Sequence, residues 1–367
     1  MTHSPPSPCP WRLRPVAHAD LDALLQIAAR SADAINSLPE DRARLDRLIG
    51  QSVASFASED VASGEERYLW VLEDLRDGRL AGTSGVLARA GFHDRFYSYR
   101  NEFVLHASPE LGRQQRMHTL HLCHDLTGYT LLTSFFILPE LELTAAPQLL
   151  SRARLLFIQR HAERFSDRLA AETPGWVDEA GNSPFWEAVG RRFFGMSFPQ
   201  VEALSGGRTK SYIADLMPQA PLHVALLPPA ARWALGQMHP VGELPLGILL
   251  DEGFDADTYV DLFDGGPTAE ARLAQLRTVQ HSRWVTLSAQ DDPADSDDEN
   301  WWQLVGHETA QGFEATLVRG PLSGRLSMDR LAHLGHLPGW QLEAGCRLQA
   351  APVNVAAGHV KGGRDAA

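Results

Sequence analysis

The sequence has few cysteines. Its three, Cys9, Cys123 and Cys346, stand far apart, show no metal-ligand spacing and leave one over from any disulfide pair, which points to a reduced, cytoplasmic setting. Long apolar runs are also missing: none approaches the ~18 residues that a membrane span requires. The opening stretch MTHSPPSPCP has neither a basic nor an apolar region of a leader, so residues 1–10 are expected to be a disordered lead-in. Basic charge is in deficit. With 33 Lys and Arg against 46 Asp and Glu the formal net charge is -13, which argues against a chain built to neutralise nucleic-acid phosphate or anionic lipid. His-Glu-x-x-His, paired Cys-x-x-Cys and a nucleophile elbow are absent, so no metal is expected and serine-hydrolase chemistry has no motif to rest on. No internal repeat has a solenoid period.

What remains is an ordinary globular composition, 44% hydrophobic and 22% charged over 367 residues, with room for two domains. Hydrophobic periodicity predicts a strand over 11–16, helices over 17–30 and 40–56, and strands over 68–73 and 80–87 joined by an Asp77-Gly78 turn. Strands follow over 99–107 and 118–125. The run 130–138 is apolar on both faces, as a central strand covered on both sides would be. A helix over 147–164 is expected to bury Leu150, Ala153, Leu156 and Phe157 and to turn Arg152, Arg154, Arg160 and Arg164 outward or to its end. Next come a strand over 169–173, a helix capped by Ser183 with Pro184 at its first position, and helices over 230–236 and 243–252, the last stopped by Gly253. A strand over 259–263 leads into the Asp264-Gly265-Gly266-Pro267 turn. The order predicts an α+β fold, a mixed sheet flanked by helices. Domain limits are expected at 11–285 with an insertion at about 183–240, an acidic linker at 286–300, a small β-rich, barrel-like unit at 301–353 around a helix over 329–334, and a disordered tail at 354–367.

Several phrases together resemble the arginine N-succinyltransferase family, a divergent branch of the GCN5-related acyl-CoA N-acyltransferases. They are His106-Ala107-Ser108, Asp125-Leu126-Thr127-Gly128, Ser183-Pro184-Phe185-Trp186 with Gly190 and Phe193-Phe194, Leu204-Ser205-Gly206, Leu216-Met217-Pro218, Gly236-Gln237 with His239-Pro240, Glu252-Gly253-Phe254 and Asp264-Gly265-Gly266-Pro267-Thr268. The segment Leu122 to Gly128, followed by Leu131-Leu132-Thr133-Ser134-Phe135, is most similar to the family's α-subunit type, which pairs with a homologous β-subunit. The resemblance implies succinyl transfer from succinyl-CoA to the α-amino group of arginine, or of ornithine, in arginine catabolism. It also implies a homo-oligomer or a hetero-oligomer with a β-subunit.

In such acyltransferases the strand, loop and helix at 130–164 hold the cofactor, which assigns Phe136, Ile137, Thr144, Ala145, Ala146 and Arg152 to succinyl-CoA. Single-chain and β-type members carry a glycine-rich basic loop before this helix; here the loop is Leu141-Glu142-Leu143-Thr144-Ala145-Ala146-Pro147. Glycines let backbone N–H groups approach a pyrophosphate at a helix N-terminus, whereas β-carbons obstruct it, Pro147 removes a donor and Glu140 and Glu142 add like charge. The loop is therefore a pyrophosphate cradle or a plain structural loop, and the chain a catalytic transferase or a non-catalytic subunit that stabilises or regulates a catalytic homologue. For the chemistry, Glu102 and His106 share a strand face and are base or base relay, or else a rim network; Tyr129 is a candidate acid. Arg100, His124, Asp125 and Asp264 are candidate substrate ligands, with Arg191 and Arg192 as further cations; Asp125 and Asp264 would equally serve to order their turns.

Overall fold

The computed structural model describes residues 10–30, 38–58, 63–91, 95–205, 216–289, 302–320, 324–328, 331, 340 and 342–353. In chain order the strands are β1 (Trp11–Pro15), β2 (Arg67–Asp74), β3 (Leu80–Leu87), β4 (Ser98–Ser108), β5 (Arg113–Cys123), β6 (Thr130–Ile137), β7 (Arg168–Glu172) and β8 (Leu222–His223). They continue as β9 (Asp255–Val260), β10 (Pro267–Arg272), β11 (Arg283–Ser288), β12 (Trp302–Thr309), β13 (Gly312–Arg319), β14 (Arg325–Ser327) and β15 (Arg347–Val353). The three long helices before β7 are α1 (Leu21–Arg30), α2 (Arg42–Ala57) and α3 (Ala146–Arg160). The α+β class read from the sequence is the one observed.

All of these strands join in one sheet, in the order β14-β11-β15-β12-β13-β1-β2-β3-β6-β7-β10-β9-β4-β5-β8. Most neighbours are antiparallel; β6 and β7 are parallel, as the crossover through α3 requires. The C-terminal strands continue the sheet, because β13 pairs with β1 at Leu13↔Ala315. Buried polar groups fasten that seam. Arg12 donates to both carboxylate oxygens of Glu314 at 2.7 and 2.6 Å, and the Trp70 indole donates to the Phe313 carbonyl at 2.9 Å.

Helix α3 lies in the main core, packed against β1, β3, β6, β12 and β13 of the same sheet. Its Phe157 ring packs on Phe56, Tyr68, Trp70 and Phe313, drawing α2, β2 and β13 into one aromatic cluster. A helix covered all round buries its polar positions too. The expectation that Arg152 and Arg154 point outward is therefore corrected: they are 1% and 2% exposed. Arg152 Nε lies 3.1 Å from Glu252, whose carboxylate also accepts from the Thr278 N–H and hydroxyl.

Other differences are local. The first stretch of β9 is Asp255–Val260 rather than 259–263, and β5 begins at Arg113 rather than at 118. Residues 286–288 of the expected linker belong to β11, while 290–301, the lead-in 1–9, the tail 354–367 and nearly all of the expected helix 329–334 lie outside the described residues. No helix among the described residues is long and apolar enough to cross a membrane.

Candidate active site

Strands β6 and β7 pair only at Thr130↔Leu169 and Leu131↔Ala170. Beyond these pairs β6 stays on β3 and β7 stays on β10, so the two diverge and open a wedge in the sheet. At its lip β6 is bulged. Thr83 is opposite Phe136 and Gly85 opposite Thr133, two steps on β3 against three on β6. Ser134 takes the slack with φ 53°, the positive-φ non-glycine residue among those described. Gly85 leaves room here, since a Cβ would come within 2.8 Å of Thr133 Oγ1 and push that side chain aside. The buried Thr83 hydroxyl donates to the Ser134 carbonyl at 2.8 Å. A trans peptide sets C=O and N–H in opposite directions, so the Phe135 N–H points away from β3, toward the wedge. A backbone donor so aimed suits a developing oxyanion.

Next to the wedge one sheet face carries a chain of polar contacts. Register places Arg168, Glu270, Tyr259, Arg100 and His121 on that face across β7, β10, β9, β4 and β5. Arg168 donates to the Tyr129 hydroxyl at 2.6 Å and lies 3.9 Å from Glu270. The Tyr259 hydroxyl donates to Asp125 at 3.4 Å. Arg100 bridges two carboxylates, donating to Asp125 at 2.5 Å and to Glu102 through Nε. Glu102 in turn lies 3.4 Å from His121 Nε2. Burial raises the Tyr129 and Tyr259 phenols above their ordinary value, with nearby carboxylates adding to it, so both keep their protons at neutral pH. The bonds to Glu102 and Asp125 hold the Arg100 guanidinium charged.

Of the residues expected at the site, Arg100, Glu102, Asp125 and Tyr129 come together here. Glu102 and His106 share a strand face but are not joined: four residues of extended chain set them about 13 Å apart. His106 instead approaches His223, with ring centroids 6.5 Å apart. His124 packs edge-on to Tyr97. Asp264 is buried in its own turn, accepting from the Gly175 and Gly266 N–H groups at 2.7 and 2.8 Å. Arg191 pairs with Glu187 one helical turn away. Phe136 and Ile137 are buried at the end of β6, and Ala145 and Ala146 are buried at the start of α3. Thr144 Oγ1 donates to the Leu141 carbonyl at 2.6 Å and accepts from the Ala146 N–H at 3.2 Å. His121, Arg168, Tyr259 and Glu270 were missed by sequence reasoning. The Asp264 turn that follows β9 implies a hairpin partner, and β10 with Glu270 is that partner.

A profile described as arginine N-succinyltransferase beta subunit matches residues 11–278. The chain belongs to the arginine N-succinyltransferase family. Within that family, arginine N-succinyltransferase subunit alpha of Pseudomonas aeruginosa is 46% identical over 281 residues, 77% of this chain and 83% of the relative. Arginine N-succinyltransferase of Salmonella schwarzengrund is 36% identical over 315 residues, 86% of this chain and 90% of the relative. The solved structure of arginine/ornithine succinyltransferase subunit AI from Pseudomonas aeruginosa has a TM-score of 0.79 at 38% identity, covering 94% of this chain and 98% of that one. The matched residues 11–278 run from β1 through β10.

Proposed function

We propose that this chain transfers the succinyl group of succinyl-CoA to the α-amino group of arginine, with ornithine as a second acceptor. The observation that carries this reading is the 46% identity, over 77% of the chain, to a relative named arginine N-succinyltransferase subunit alpha. The geometry supports it. The thioester would lie in the wedge between β6 and β7, its carbonyl toward the Phe135 N–H, which polarises it as the amine attacks. The acceptor would lie on the polar face, where Asp125, Glu102 and Glu270 offer carboxylates to a guanidinium and Arg168 offers a cation to a carboxylate. Glu102, four strands or about 19 Å from β6, and Tyr129, six residues or about 20 Å before Phe135, lie too far from the thioester to exchange protons with it directly, so in this scheme the amine gives its proton to water and the thiolate takes one from solvent. His106, out on the β4–β5 hairpin, has no role in this scheme. The assembly is a homo-oligomer or pairs with a homologous subunit.

A second reading, a non-catalytic partner subunit, is favoured by one specific observation. At the start of α3 the Ala146 N–H is taken by Thr144 and Pro147 has none, which removes two donors from the place where a pyrophosphate would sit. Isothermal titration of the isolated chain separates the two readings. Binding of CoA with a defined stoichiometry is expected; no heat from CoA beside a folded protein would leave the partner-subunit reading standing.

A further inference from the structure

We propose that Arg154 is a positioning residue for acyl transfer, a buried cation that fixes the peptide groups of the β6 bulge from the helix side. The inference rests on the acyl-transfer reading above and adds to it a residue that makes no contact with either substrate.

Arg154 is 2% exposed. Its side chain folds back along α3, where Nε donates to the Ser151 carbonyl and Nη2 to the Ser151 hydroxyl, both at 3.0 Å. Nη1 is then directed at the sheet, 3.5 Å from the carbonyl oxygens of both Gly85 and Thr133. These two residues face each other across β3 and β6, next to the bulge. The Phe135 ring, on the bulge itself, lies with its centroid 5.8 Å from the guanidinium carbon.

The neighbouring buried arginine makes the contrast. Arg152 has Glu252 at 3.1 Å, whereas the bonds described for Arg154 all run to carbonyl and hydroxyl oxygens. Burial without a carboxylate draws the Arg154 guanidinium down to about 9. A hydrophobic side chain of similar volume would fill the same place at lower cost. What the cation adds is a pull on the carbonyls around the bulge. Thr83 holds the Ser134–Phe135 peptide at 2.8 Å, and the Arg154 charge, 3.5 Å from the Thr133 carbonyl, biases the peptide before it, so the two successive planes of the bulge are restrained from opposite sides. The same charge lies close behind the point where a thioester oxygen gains negative charge, in surroundings that screen it little.

The test compares Arg154→Met and Arg154→Lys with the full-length wild type, in the presence of a homologous partner subunit if the wild type needs one. Loss of a direct oxyanion donor lowers kcat by about 100- to 1,000-fold, and a residue that only positions the donor is expected to cost less, about 10- to 100-fold. The expected result is such a fall in Arg154→Met, with KM for succinyl-CoA and arginine unchanged within about twofold and most of the loss restored in Arg154→Lys. In isotope-edited infrared spectra, the carbonyl stretch of bound succinyl-CoA should lie higher in Arg154→Met than in wild type. If Arg154→Met does not fold, Ser151→Ala, which removes the hydroxyl that aims the guanidinium, takes its place, with a smaller fall in kcat and the same spectral shift. An unchanged kcat and carbonyl frequency in a folded variant would overturn the proposal, as would a loss of activity that appears only in KM. A wild type that neither binds nor turns over succinyl-CoA overturns it together with its premise, and shows this before any variant is made.

Discussion

Arg100 is the residue on which the polar face turns, because it holds two carboxylates that would otherwise repel each other on neighbouring elements. All three side chains are partly open to solvent, so the bridge contributes little to stability and its value lies in placement. Arg100→Ala is therefore expected to lower kcat/KM for arginine by about 10-fold or more, leave KM for succinyl-CoA unchanged and barely move the thermal midpoint; steady-state kinetics and a melting curve check this. Asp264 shows why residue type alone was ambiguous. Its flanking glycines read equally as a ligand loop and as a tight turn, and both carboxylate oxygens are used, one by the Gly266 N–H within the turn and one by the Gly175 N–H from the segment after β7. Glu102 and His106 illustrate the other limit: alternation places side chains on a face, and it says nothing of how far along that face they sit.

At the scale of elements, legibility followed the range of the interactions. Strand Leu80–Leu87 and helix Glu243–Glu252 begin and end where periodicity predicts, the helix stopped by Gly253 at φ 105°. Strand β6 was legible as a run apolar on both faces. Helix α3 was legible as a helix and not as a buried one, since two of the strands packed on it, β12 and β13, come some 150 residues later. No local pattern records that burial, and so Arg152 and Arg154 read as surface charges. Strand β9, Asp255–Val260, is mostly polar, which left its start unmarked. The bulge was equally hidden, because Ser134 is an ordinary residue whose φ is set by the register of β3 against β6. The Arg152–Glu252 pair gives a direct test of the buried helix. Glu252 keeps Arg277 at 3.7 Å and the two Thr278 bonds, so Arg152→Met should cost about 1.5–3 kcal/mol in denaturant unfolding, while the double variant Arg152→Met with Glu252→Leu should recover part of it. Equal losses in the single and double variants would contradict the pairing.

For the molecule as a whole, the continuity of the sheet ties the C-terminal strands to the transferase core. Pairing of β13 with β1, the Arg12–Glu314 pair and the Trp70 bond to Phe313 all cross that seam. A chain ended at residue 301 leaves Arg12 without Glu314 and removes the contacts of β12 and β13 with α3. It is expected to be insoluble or to lack a cooperative thermal transition by circular dichroism; a soluble, cooperatively melting fragment would mean that the core stands without those strands. The wedge, the bulge and the polar face lie within residues 83–270, and the C-terminal strands serve them by packing on α3. The central claim is acyl transfer by this assembled whole. It is tested most directly by initial rates of CoA release from succinyl-CoA with arginine, the product identified by mass spectrometry, using the full-length chain alone and with a homologue that carries the glycine-rich loop. Saturable, arginine-dependent release with formation of N-succinylarginine by the isolated chain is the predicted result; no release by it alone, with no gain over the homologue's own rate when the two are mixed, would contradict the account.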